Sequence, residues 1–493
     1  MAYLHGAYGD INAAGNRVAA QTEGVIVAIG TAPVHTVAGG AANVNKPVLV
    51  TGIAEARQLF GYSDDWAKYT LCEAMHVFFE LNGVGPLVLI NVLDPAAHKK
   101  SGDATSKSLT PVNGVITIAN AEGIILDTVT VAGKTKGTDF TVAYNQAKKT
   151  IVITGNLGTA AINVSYNEIN AAAVTAEAVI GSTDGMGLNT GVYALKNVYQ
   201  ETGLVPAFVI APGFSSVPAI HSAMAQVTRK INGHWDAWMF VDLPIMNGET
   251  PVTMATAATF KAANGYNQEN ETVCYPMATG TDGKQYHLST LRACNFLDIL
   301  GRNDGIPYHT ASNTACAIIA NLWLGAEYTG RVFDDQIINE NLCKHGITSA
   351  AFVGGRWVLW GAHAADFDTD NMTNVNAAET NRMMLFYLSN DFQQRRVNDV
   401  DKPVTANDIQ SLVADEQARL DALVRTGALI YGQAAIDAQA IQDSDVFLGD
   451  YMFTFDVTTT PLAKSLTVTV NWVNDGYATY FAEAETDMAS DYD

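Results

Sequence analysis

Charge is scarce in this chain, and positive charge scarcest. Charged residues make up 16% of 493 and hydrophobic ones 48%. Little surface charge fits a subunit that covers much of itself with copies of itself. Lys and Arg number 28 against 50 Asp and Glu, a net charge of −22. So acidic a surface repels phosphate backbones, which argues against direct nucleic-acid binding. Residues 366–493 hold 22 of the acids and only 7 of the bases, so assembly through them should respond to salt or divalent cations. The five cysteines (Cys72, Cys274, Cys294, Cys316 and Cys343) form no CxxC pair, and an odd count is a poor disulfide framework. Most lie in apolar stretches and should pack as small reduced hydrophobes. No apolar run reaches the roughly 18 residues of a membrane span. The start, MAYLHGAYGDINAAGNRV, lacks the basic-then-apolar order of a signal peptide, so cytoplasmic synthesis is expected.

Catalytic signatures are missing too. There is no HExxH, HxxxH, GxSxG or dinucleotide fingerprint. VAGKTKG (131–137) contains GKT, but a phosphate loop needs glycine where Thr128 stands, so a hairpin turn is the better reading. His345 and His363 read as structural hydrogen-bonding residues. The neighbouring Asp64 and Asp65 diverge along a chain and suit capping better than a dyad. No catalytic residue, metal site or cofactor is expected.

What is present is a long alternation of strands and helices. GVIVAIGTA (24–32) reads as a buried strand. NKPVLVTG follows as a short strand ending at Gly52, then a helix over Ala54–Phe60 that stops at Gly61. A second helix is expected over Trp66–Leu81, with Leu71, Met75, Phe78 and Phe79 on one face. Leu87–Val92 is another strand. Residues 101–187 change character: VITIA, TVTVAG, FTVAY, TIVITG and INVSY are short, mostly alternating runs, as in a small β-sandwich or barrel inserted into the α/β core. The α/β pattern resumes with a helix at 192–200, strands at 207–210 and 238–241, and helices at 217–231 and 251–264. Ala315–Leu324 looks helical, and FVGGRWVLWG (352–361) looks like a hairpin. Helices are expected over Ala377–Val397 and Thr405–Thr426. Tyr451, Phe453, Phe455 and Val457 share one face of a stretch, as do Leu466, Val468, Val470 and Trp472 of another, the period of half-buried strands. Asn474-Asp475-Gly476 is a turn signal, and YATYF (477–481) is a further strand candidate.

The order PVLVTGIAEARQLFGYSDDW, then LCEAMHVFFELNGVGPLVLINVLDP, closely resembles the core of contractile-tail sheath proteins, the outer tubes of contractile phages and phage-tail-like bacteriocins. LVPAFVIAPGFSSVPAIHSAM (204–224), DAWMFVDLP (236–244), GIPYHTASN (305–313), NENLCKHGITSAAFVGGRWVLWG (339–361) and RMMLFYLSNDFQQRR (382–396) resemble later segments of that family in the same order. The fold class is accordingly α/β (mixed α+β) and multi-domain. The expected division is an arm at 1–22, a discontinuous core at 23–100 plus 188–360, and an inserted β-domain at 101–187. A C-terminal domain at 361–476 and a donor strand with acidic tail at 477–493 follow.

The resemblance implies a structural subunit, not an enzyme. Hexameric rings would stack helically around an inner tail tube, with baseplate and tail terminator proteins as further partners. The sheath would contract from a metastable extended state without ATP, driving the tube through a cell envelope. Neighbouring subunits would be joined by strand exchange. Candidate exchange residues are Tyr3, Tyr8, Tyr451, Phe453, Phe455, Leu466, Val468, Val470, Trp472, Tyr477, Tyr480 and Phe481. Residues 449–473 would offer a two-stranded sheet. Arg382, Arg395 and Arg396 are candidates to face the tube, with local ion pairing to Asp391 or Asp399 as the equal alternative. Two other readings stay open: a doubly wound enzyme, which would need a convergent polar cluster at the C-terminal ends of the core strands, and a surface-binding module using 101–187.

Overall fold

The apolar run at GVIVAIG becomes the middle of an eight-stranded sheet. The computed structural model describes residues 24–328, 330–331, 335–369, 377–436, 449–474, 476–477 and 480. The chain divides into two units, Met1–Thr460 and Pro461–Asp493. Within the first, Gly24–Gly30 lies between Val205–Ile210 and Leu87–Asn91, parallel to both. Trp238–Asp242, Glu271–Cys274 and Ile347–Val353 continue the parallel order on one side. Arg356–Trp360 ends that side antiparallel, and Val48–Val50 ends the other. Strands covered on both faces read as unbroken hydrophobic runs, and Val25 to Ile29 are all buried. Gly30 admits the chain turn above it: a Cβ there would stand 2.3 Å from Thr70 Oγ1.

Both edges of this sheet are closed to further pairing. Val48–Val50 is only three residues long. Arg356–Trp360 is covered by residues 313–316, with Asn313 N donating to Leu359 O (2.7 Å), Leu359 N to Thr314 O (3.0 Å) and Cys316 N to Trp357 O (3.0 Å). Short or covered edges are how sheets avoid unwanted strands.

Residues 105–166 form two three-stranded antiparallel sheets. One holds Thr105–Leu109, Ile162–Tyr166 and Thr130–Val131, the other Val115–Ile118, Thr150–Gly155 and Phe140–Asn145. They enclose a core of their own around Ile116, Val131, Ile151, Ile153 and Val164, which makes a small sandwich. It meets the α/β part where His35 Nε2 donates to Glu122 O (2.8 Å) and Gln146 Nε2 to Tyr62 O (3.1 Å).

Several expectations change. The second helix starts at Leu71, not Trp66, and continues through a π-helical turn over His76–Leu81. Thr70 N bonds Thr31 Oγ1 (3.1 Å), so a tertiary tie replaces the first helical turn. Asp64 and Asp65 therefore cap nothing there, pairing instead with Lys284 (2.9 Å) and Lys68 (2.6 Å). Ala315–Leu324 is not helical: Ile319–Trp323 is a strand paired with Met277–Gly280. Residues 274–335, where the sequence suggests no element besides Ala315–Leu324, hold the long helix Leu288–Arg302. FVGGRWVLWG is a hairpin, as expected, turning at Gly354 and Gly355. All five cysteines are free, four of them buried. Burial pushes the Cys72 thiol up to about 12.

After the hairpin come two helices, Glu379–Arg396 and Ala406–Arg425, then Leu429–Ile436 paired antiparallel with Phe453–Thr459. They share a small core of Met384, Leu388, Leu420, Leu423, Leu429 and Ala434. So 449–473 is not a two-stranded sheet by itself. Its first half pairs backwards with 429–436, and residues 461–473 have no strand partner among the described residues. Gly476, Tyr477 and Tyr480 are helical, so the extra strand expected at 477–481 is not seen at its described positions.

Candidate assembly site

The C-terminal hairpin is built from the helices upward. Thr405 caps the second helix through a capping box with Asp408: Thr405 Oγ1 accepts from Asp408 N, while Asp408 Oδ2 accepts from Thr405 N (2.8 Å). That helix lies close on Leu429–Ile436, and Gly432 permits it, since a Cβ there would meet Leu420 Cβ at 2.9 Å. Gln417 reaches from the helix to the strand's outer side. Its Nε2 donates to Gly432 O (3.0 Å) and its Oε1 accepts from Ala434 N (2.8 Å). On one face of the hairpin, Phe453 and Phe455 pack on Phe392 at 5.5 and 5.6 Å between ring centres.

The two helices are locked by a carboxylate–guanidinium cluster. Arg395 binds both oxygens of Glu416 (2.7 Å each) and Asp391 (2.8 Å). Arg396 binds Glu416 (2.7 Å) and Asp399 (3.4 Å), and Arg419 pairs with Asp391. Glu416 and Asp391 are buried. Burial works against the Glu416 charge, but the two arginines prevail and hold its carboxyl below the usual range. All three tube-facing candidates carry local ion pairs. Arg382 is only 5% exposed and binds Asp366 (2.7 and 2.8 Å) and Glu269 O (3.0 Å). Arg395 and Arg396 are spent on the ion pairs the alternative reading foresaw, with Asp391 and Asp399.

The strand-exchange candidates separate into groups. Tyr451, Phe453 and Phe455 are half-buried, the latter two against Phe392. Leu466, Val468, Val470 and Trp472 stand in water, 91%, 82%, 86% and 78% exposed. Tyr477 and Tyr480 are exposed and helical. Tyr3, Tyr8 and Phe481 lie outside the described residues.

A polar cluster does lie at the C-terminal end of the core strands, around Asp242 and Glu73. Asp242 accepts from Ser289 N (3.0 Å) and Ser289 Oγ (2.5 Å). Glu73 accepts from His287 N (2.7 Å) and His287 Nδ1 (2.6 Å). Both oxygens of each carboxylate are taken, and both residues are buried. Nearby, Arg292 and Glu379, both wholly buried, join the core to the C-terminal helices; Arg292 also donates to Gly361 O (2.8 Å). His345 hydrogen-bonds Asp368 (3.2 Å), as a structural histidine does, and His363 stacks on Phe367 at 3.8 Å. Among the described residues no three His, Cys, Asp or Glu side chains converge as metal ligands, and no helix is long and apolar enough to cross a membrane.

By its fold the chain is similar to chains of contractile injection systems. The chain of the anti-feeding prophage (AFP) baseplate in its 6-fold symmetrised cryo-EM structure matches with a TM-score of 0.57 at 12% identity, over 96% of this chain and 100% of that one. The PVC sheath complex of an extracellular contractile injection system, in its contracted state, matches with a TM-score of 0.55 at 11% identity, over 97% and 99%. By sequence the chain is a homologue of phage tail sheath proteins. It is 25% identical over 486 residues to the tail sheath protein of Burkholderia phage BcepMu, 94% of this chain and 96% of that protein. No protein-family model matches it.

Proposed function

We propose that this chain is the structural, non-enzymatic subunit of a contractile tail sheath in a phage or phage-tail-like particle. The observation that carries the reading is Ser465–Val473. It is a segment outside any helix or strand whose apolar residues alternate yet lie exposed, in a chain homologous to a tail sheath protein. A monomer gains nothing from four large apolar side chains in water, whereas an exposed alternating segment is what strand addition between chains uses. Subunits form hexameric rings that stack helically around an inner tube, with baseplate and terminator proteins at the ends, assembled in the bacterial cytoplasm. The rigid core moves as a body during contraction while the exchanged strands act as hinges. The inserted sandwich stands on the outer surface, where added bulk is tolerated.

Negative-stain electron microscopy of the purified chain over a range of salt and protein concentration tests this. Hollow striated tubes of uniform width are expected, alone or with co-expressed tube protein. Monodisperse monomers under both conditions would contradict it.

A further inference from the structure

Gln417 distinguishes the two edges of the C-terminal hairpin. In an antiparallel pair, residues that face each other turn their N–H and C=O groups either both toward the partner strand or both away from it. Gly432 O and Ala434 N point away from Phe453–Thr459, because both bind the Gln417 amide. Their partners across the ladder are Val457 and Phe455. The backbone groups of Val457 and Phe455, and of Phe453 two residues on, must therefore point outward from the other edge. Among the described residues, nothing binds them there. One edge is thus plugged by a side-chain amide that imitates a neighbouring peptide, and the other carries an unused row of donors and acceptors.

The tail has the matching pattern. Leu466, Val468, Val470 and Trp472 alternate with Thr467, Thr469 and Asn471. On the hairpin, Phe453, Phe455 and Val457 alternate with Thr454, Asp456 and Thr458. A tail strand laid beside Phe453–Thr459 with its apolar face toward Phe392 would extend the apolar layer on one side and a Thr/Asn/Asp layer on the other.

We propose that Ser465–Val473 of a second copy adds to the outer edge of Phe453–Thr459 and not to that of Leu429–Ile436, and that Gln417 enforces the choice. This rests on the strand-exchange reading above. Gln417 is a positioning residue: it blocks the wrong edge while leaving the hairpin's own ladder intact.

Asp456 and Gln433 face each other across the hairpin, which makes them a pair of reporters. A strand beside Phe453–Thr459 places one of its side chains about 5 Å from position 456 and about 10 Å from position 433. A disulfide needs Cβ atoms about 4 Å apart. Full-length chain carrying Asp456→Cys is mixed with full-length chain carrying Thr467→Cys, Thr469→Cys or Asn471→Cys, assembled and mildly oxidised; a parallel set uses Gln433→Cys. The native chain is the control for its own cysteines. Intermolecular disulfides are expected from the 456 set and not from the 433 set. Adding Gln417→Ala, which a helix tolerates, should make the 433 cross-link appear. Polymers that cross-link through 433 as readily as through 456, or through neither, overturn this inference alone. Absence of any polymer overturns the strand-exchange reading and this inference with it.

Discussion

The central sheet and the C-terminal hairpin solve the same problem in opposite ways. Each is a sheet packed against helices, and each has two edges. The central sheet shuts both, one by brevity and one by the covering loop at 313–316. The hairpin shuts one with Gln417 and leaves the other unbonded among the described residues. Polar groups follow the same division. In the core, Glu73, Asp242 and Glu379 are buried with their bonds made internally. Beyond the hairpin, the tail carries its apolar groups into water. Under the proposed function, the first is the body that moves and the second the link between copies.

The comparison can be broken most severely at its joint. Arg292→Ala would leave Glu379 buried without its counter-charge, and breaking a buried pair from one side costs about 3–5 kcal/mol. Chemical denaturation should show that loss, and a loss below about 1 kcal/mol would mean the joint does not hold the two parts together.

Next come two histidines of opposite sign. Burial opposes charge on His287, but Glu73 and Asp242 outweigh it and raise its pKa to about 9. A raised group stabilises fully below its unfolded value, about 6.5, and loses that contribution as pH climbs toward 9. At the sandwich junction, burial of His35, only partly countered by its bond to the Glu122 carbonyl, lowers its pKa to about 4. Its contribution is present above about 6.5 and is lost as pH falls toward 4. Unfolding midpoints should therefore fall on the alkaline side, and His287→Gln should flatten that limb. Proteolysis at the sandwich junction should rise on the acid side, and His35→Gln should flatten that response.

Arg395→Met sharpens the contrast within the C-terminal region. Glu416 keeps Arg396 and Asp391 keeps Arg419, so the expected loss is smaller, about 1–3 kcal/mol by thermal unfolding. Smallest is Thr405→Ala, which removes one helix cap, costs about 1 kcal/mol, and should raise hydrogen exchange only near residues 406–409.

Much of this was readable in the chain because the core strands are buried on both faces. VIVAI and WMFV can be little else. The sandwich strands were readable for the opposite reason, their mostly alternating pattern, though the polar TSKSL of Thr105–Leu109 gave no such signal. Leu288–Arg302 escaped even though Leu288, Leu291, Leu297 and Leu300 recur at helical spacing, because polar residues such as Ser289, Thr290 and Arg292 are buried among them. Ile319–Trp323 was mistaken for helix because a short apolar run has no period of its own. Leu429–Ile436 escaped because LIYGQAAI trades β-branched residues for the glycine and alanines that let a helix approach. For the arginines, the sequence offered Asp391 and Asp399 as partners but not Glu416, which lies 21 residues from Arg395 along the chain. The tail reads in sequence as a half-buried strand, whereas Ser465–Val473 is exposed and lies outside any strand.

The most direct test of the account is a comparison of the full chain with one ending at Lys464, by analytical ultracentrifugation and electron microscopy under assembly conditions. The account predicts that the shortened chain unfolds at the same temperature as the full one yet stays monomeric while the full chain forms tubes. Tubes of the same width and striation from the shortened chain would contradict it.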